Sequence, residues 1–87
     1  MVNCHKNPSI VCTELGDSAI LLDLDTKYYY SLNETGLRIW QLIDSGEGAA
    51  EMSEKLSTEF DVDRRRALAS IERLLGELKK NGLIVLQ

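Results

Sequence analysis

The sequence predicts an α+β fold of winged-helix-like arrangement, a three-stranded antiparallel sheet followed by three helices in a single domain over residues 1–87. Two observations carry this. Up to Leu32 the chain holds three short β-branched or aromatic runs divided by turn residues, and from Asn33 onward the apolar spacing changes from two to three and four residues. A chain of 87 residues buries only about 60–65% of its unfolded surface, so the limit is one compact core.

The first run, Ser9 to Leu15, is rich in β-branched residues and closes on Gly16-Asp17-Ser18, a strand and a tight turn. Ala19 to Leu24 is apolar nearly throughout, as expected for a central strand, and Asp25-Thr26 turns the chain. The third strand is predicted over Lys27 to Leu32, with Tyr28, Tyr30 and Leu32 on one face and Lys27, Tyr29 and Ser31 on the other.

Asn33 is a suitable N-cap, and Leu32 before it can pack on Leu37 as a hydrophobic staple. Leu37, Ile39, Trp40, Leu42 and Ile43 give the first helix a wide apolar face, ended by Ser45-Gly46. The second helix, Ala49 to Phe60, turns Ala49, Met52, Leu56 and Phe60 inward. Asp61-Val62-Asp63 breaks it. Asp63 then caps a third helix from Arg64 to Lys80, whose predicted inner stripe is Leu68, Ile71, Leu75 and Leu78. After Asn81-Gly82 the apolar tail Leu83 to Leu86 is either a short strand or an extended segment on the core, and residues 1–8 are expected to be loose.

Charge and composition narrow the function. A formal charge of −4 is opposite to what a phosphate backbone attracts, which argues against a nucleic-acid partner. The N-terminus lacks the apolar run of a signal peptide and no window approaches a membrane span, so a cytoplasmic protein with no membrane partner is expected. Cys4 and Cys12 make no disulfide framework, and Cys4 beside His5 falls short of zinc's four ligands, so no metal or cofactor is expected. With one His and no phosphate loop, dinucleotide fingerprint or HExxH, nothing suggests catalysis; Asp23 and Asp25 read as a solvated turn.

What remains is a surface for binding. The last strand of a meander leaves backbone N–H and C=O groups unpaired along one edge, and here only Lys27 guards it, so an extended peptide could join as another strand. The alternative is that Tyr28, Tyr29 and Tyr30 are simply strand formers packed on the sheet. Arg65, Arg66, Ala69, Arg73, Leu74 and Gly76 lie off the inner stripe of the third helix: Ala69 and Gly76 leave room, Leu74 supplies an apolar floor, and the arginines could select acidic side chains. A solvated helix face explains the same residues. The unguarded edge could also pair with a second copy, giving a homodimer. Two further readings stay open, a winged-helix DNA-binding or regulatory domain, suggested by Arg64-Arg65-Arg66, and a structural subunit of an enzyme complex.

The run Tyr29-x-x-Leu32-Asn33-x-Thr35-Gly36-x-x-Ile39-Trp40, within Leu22 to Ile43, resembles the PqqD-like family, and the likeness continues through the third helix to Gly82-Leu83-Ile84. The Ile-Trp pair and the free-standing chain look closest to the lasso-peptide type. The resemblance implies a winged-helix-like module that holds the leader segment of a ribosomally made precursor peptide as an extra strand, in the groove beside the third helix. It implies that Lys27, Tyr28, Tyr29, Tyr30 and Ser31 pair with the leader backbone, and that Arg66, Ala69, Arg73 and Leu74 line the groove. It also implies a maturation enzyme as partner, a leader protease and a ring-closing enzyme in lasso-type systems or a radical enzyme in the quinone system. Glycine stands in the family's turn where this chain has Thr26-Lys27.

Overall fold

The computed structural model describes residues 4–46 and 48–86. Five strands and three helices follow in the order β1 (Cys4–Lys6), β2 (Ile10–Leu15), β3 (Ser18–Asp23), β4 (Tyr29–Leu32), α1 (Glu34–Ile43), α2 (Ala49–Phe60), α3 (Arg64–Lys80) and β5 (Ile84–Leu86). β2, β3 and β4 form the antiparallel meander with β3 in the centre, and β1 pairs antiparallel with β5 in a separate ribbon. The expected α+β, winged-helix-like order of sheet and then helices is what the chain adopts.

The alternation of each strand divides the meander into two faces. Ala19, Leu21, Tyr30 and Leu32, with Ile10 and Cys12, point to the helices and join Leu37, Ile39, Trp40, Leu56, Ile71 and Leu78 in one core. Asn33 caps α1 as expected, accepting from the Gly36 N–H at 2.8 Å. The glycine of the sequence signature has a packing reason: a Cβ at Gly36 would lie 3.2 Å from both the Asn33 side-chain oxygen and a Leu32 methyl. Asp63 caps α3 through the Arg66 N–H at 3.1 Å, and α2 ends where Asp61 turns left-handed at φ 54°. The bidentate pair of Arg38 with Glu59, at 2.7 and 2.9 Å, ties α1 to α2.

Four expectations need correction. Within the segment expected to be loose, Cys4–Lys6 is a strand, because the apolar tail Ile84–Leu86 offers it a partner. Lys6 is held further by Asp44 at 2.7 Å and by the Trp40 ring, 4.4 Å from its centroid, and Asn7 bonds the backbone of Gly82 and Leu83. Residues 1–3 of that expectation lie outside the described residues.

The third strand of the meander starts at Tyr29, not Lys27. Lys27 occupies the left-handed region at φ 65° and closes a four-residue loop, its N–H donating to the Asp23 carbonyl at 2.7 Å. Asp23, expected to be solvated, is buried, and its carboxylate accepts from the N–H groups of Asp25 and Thr26 at 2.9 and 3.2 Å. The loop is thus built around that carboxylate.

The inner stripe of α3 is centred on Ala67, Ile71 and Leu78, with Leu74 and Leu75 packed against the core and Leu68 only half-buried. Ala67 is short enough to bring α3 close to α2, where it shares a small cavity with Leu56. That rotates the stripe toward Leu74 and away from Leu68.

Candidate functional site

The free edge of β4 faces α3 across a groove, and the backbone bonding of the hairpin decides which groups it presents. The Asp23 N–H donates to the Tyr28 carbonyl at 2.9 Å, so these two form a bonded pair. In an antiparallel ladder bonded and non-bonded pairs alternate. With Leu22 opposite Tyr29, Leu21 opposite Tyr30, Ile20 opposite Ser31 and Ala19 opposite Leu32, Tyr30 and Leu32 turn their backbone groups to β3. Tyr29 and Ser31 therefore direct their N–H and C=O groups away from the sheet. Among the described residues no other strand pairs with that side.

A cavity of about 520 Å³ lies between this edge, the start of α1 and one face of α3. Of the sequence-predicted residues it brings together Tyr30, Ser31, Arg73 and Leu74. Arg66 lines a second cavity, about 220 Å³, with Phe60 and Val62; Thr35 and Ser70 line both, so the two are neighbours. Arg65 and Ala69 are exposed on α3 and line neither cavity; the same holds for Lys27 and Tyr28 in the loop and for Tyr29, whose side chain points to the outer face of the sheet.

The polar groups of the larger cavity are arranged by the fold. The Tyr30 hydroxyl donates to Glu77 at 3.2 Å, joining β4 to α3 across the groove. Burial, and then the Glu77 carboxylate, push the Tyr30 phenol above its usual range. Among the described residues Arg66 and Arg73, which line the two cavities, have no ion-pair partner, so the groove carries two basic side chains in a chain of net charge −4. Cys12 carries no such role: it packs against the core, and burial raises its thiol pKa.

Ser70, Glu77 and Thr35 belong to the site and were missed from the sequence. Ser70 and Glu77 fall at helical spacing from Arg73 and Leu74, so the face that meets the groove runs through 66, 70, 73, 74 and 77. Of the predicted face through 65, 66, 69, 73, 74 and 76, residues 66, 73 and 74 line the cavities and 65, 69 and 76 do not. Among the described residues no three His, Cys, Asp or Glu side chains are grouped to hold a metal ion. No described helix is long and apolar enough to cross a membrane.

An open strand edge beside a helix wall, on a winged-helix-like frame, defines a small binding module. The chain belongs to the family described as coenzyme PQQ synthesis protein D (PqqD), whose model matches residues 18–84. Among solved structures it is similar to TbiB1 in complex with the TbiA(β) leader peptide, with 28% identity, a TM-score of 0.82, and 91% of this chain and 92% of that one covered. It is also similar to a lasso peptide synthetase B1 complexed with the leader peptide, with 29% identity, a TM-score of 0.86, and 95% and 98% covered. No curated protein sequence matches the chain.

Proposed function

We propose that the chain binds the leader segment of a ribosomally synthesised precursor peptide, as a strand added to β4, and delivers it to a maturation enzyme without itself catalysing a reaction. The carrying observation is the outward pair of backbone groups at Tyr29 and Ser31, set over a cavity walled by α3. Main-chain hydrogen bonds along such an edge supply affinity for any extended peptide, and the side-chain cavity beside it supplies selection. Family membership and two solved relatives, both described in complex with a leader peptide, support the same reading.

Alternate leader residues would enter the groove on the side of Tyr30, over Leu74 and beside Arg73. Lys27, Tyr28, Arg65, Arg66 and Ala69 would then act at its margins, Arg66 through the neighbouring cavity. The enzyme partner we propose is a leader protease working with a ring-closing enzyme, in keeping with the lasso-type relatives. The test is calorimetric titration with a synthetic leader from the small open reading frame beside the gene. Binding at micromolar affinity or tighter is expected, with at least a several-fold loss in Arg73→Glu; a folded protein that binds no neighbouring leader would refute it.

A further inference from the structure

The α3 wall of the groove carries two opposite charges that do not pair. Arg73 and Glu77 lie about one helical turn apart, and both line the cavity of about 520 Å³ beside Leu74. Among the described residues neither forms an ion pair, although their spacing is one at which helix side chains meet. Their order works against pairing, since a cation ahead of a carboxylate is the weaker arrangement along a helix. Glu77 is held instead by β4, its carboxylate accepting from the Tyr30 hydroxyl at 3.2 Å. No other described group donates to that carboxylate and none accepts from the Arg73 guanidinium, so each keeps capacity for a ligand.

The spacing of the two charges matches that of an extended chain. From Arg73 to Glu77 the helix rises about 6 Å, and alternate residues of a strand are about 6.8 Å apart. β4 runs opposite to α3, because Tyr30 meets Glu77 while Thr35, further along the chain, lines the second cavity with Ser70 and Arg66. A strand added antiparallel to β4 therefore travels in the direction of α3 and passes Arg73 before Glu77. Residues directly opposite in a ladder share a face, so the leader residues set against Leu32 and Tyr30 point to the helices, as those two side chains do, and stand two apart in the leader.

We propose that Arg73 and Glu77 are specificity-determining residues that together select a leader bearing an acidic residue and, two positions later, a basic one. This selection rests on the strand-addition reading above and adds the chemistry and order of the side chains the groove takes. The acid set against Leu32 meets Arg73, and the base set against Tyr30 meets Glu77. The two charges also fix the register. Backbone bonds repeat every two residues and are alike in each such register, so the edge of β4 alone does not choose among them. A slip of two residues brings the base onto Arg73 or the acid onto Glu77, and a slip of one turns both side chains to the outer face of the sheet.

The experiment titrates the full chain with the synthetic leader encoded beside the gene, which is expected to contain an acid-x-base element, and with the same peptide after its acid and base are exchanged in place. The exchanged peptide should bind wild type about tenfold more weakly, since two contacts between partly exposed charges become repulsive, and the difference should shrink in high salt. The exchanged chain Arg73→Glu/Glu77→Lys should reverse the preference. Glu77→Gln, which keeps an acceptor for the Tyr30 hydroxyl, provides a variant close to the native fold: it should lose several-fold with the native leader and match wild type with a leader whose base is replaced by Met. A wild-type chain that binds no leader refutes strand addition and this selection with it. A leader that binds without an acid-x-base element, or binds equally well after the exchange, overturns the selection alone and leaves strand addition standing. Tighter binding of the exchanged peptide by wild type overturns the proposed order and indicates a parallel strand.

Discussion

A proline at Tyr29 probes the edge directly. Its backbone N–H is directed away from β3, so substitution removes no bond of the β3–β4 ladder, and proline is tolerated on edge strands in that position. The stability cost should stay small, since the Tyr29 side chain is 66% exposed and leaves the core intact. Peptide binding should suffer instead. One lost backbone hydrogen bond is worth about 0.5–1.5 kcal/mol, a two- to thirteenfold rise in Kd, and the ring projecting from the edge adds to it by keeping the incoming strand at a distance. Ser31→Pro should behave likewise, because its N–H shares the outward direction. Tyr30→Pro is the contrast: it removes a ladder donor and a core side chain that reaches Glu77, and should unfold the protein. Calorimetric titration with the leader, beside thermal melts by circular dichroism, separates the two effects. A folded Tyr29→Pro protein with wild-type affinity would refute strand addition at this edge.

Three further predictions concern the frame. Lys27→Gly relieves a left-handed residue at φ 65°, a cost of about 1–2 kcal/mol for a non-glycine residue, against a glycine entropy cost of about 0.5–1 kcal/mol; chemical denaturation should show a net gain of roughly 0.5 kcal/mol, and any loss would contradict the loop geometry. Asn33→Ala removes the α1 cap and should cost about 1 kcal/mol in the same assay, with Asn33→Asp nearly neutral. The hydrogen bond from Arg38 holds the Glu59 carboxyl below its usual range, so its contribution is present at neutral pH and is lost as pH falls through that lowered value. The pair is partly exposed and worth up to about 1 kcal/mol, so Glu59→Gln should lower stability at pH 7, and the difference should vanish as pH falls through that lowered value.

Residues whose role is local were legible in the sequence. Asn33 and Asp63 cap helices because a short polar side chain before an apolar-periodic run has one good use there, and Tyr30 and Leu32 face inward because strand period fixes parity once Leu32 is placed at the corner. Contacts between distant parts were not. Strand β1 exists because it pairs with β5, 78 or more residues later, and no local property of Cys4-His5-Lys6 announces a strand. The start of β4 was misplaced because Lys27 looks like a strand residue until the buried Asp23 carboxylate organises the loop before it. On the inner stripe of α3, Ile71, Leu75 and Leu78 were placed inward and Leu68 was misplaced, because its leucine outweighs Ala67 in hydropathy while packing against α2 favours the smaller side chain.

The meander has two edges, and the fold makes them unequal. The outer side of β2 carries exposed Val11, Thr13, Glu14 and Leu15, and neither cavity is lined by β2, so an incoming strand there would gain backbone hydrogen bonds without a walled groove beside them. Charge beside an edge is also a common guard against unwanted pairing. At β4 the same bonds come with a cavity of about 520 Å³, within the range that holds small ligands and side chains, whose far wall is α3. The Tyr30–Glu77 hydrogen bond links that wall to the strand. Tyr30→Phe therefore separates the two contributions: it leaves the outward N–H groups of Tyr29 and Ser31 in place and frees Glu77 to move. If selection resides in the wall, this variant should bind its leader more weakly and discriminate less between that leader and one scrambled at the groove-facing positions. If the backbone edge alone carried recognition, wild type and Tyr30→Phe would bind both peptides alike.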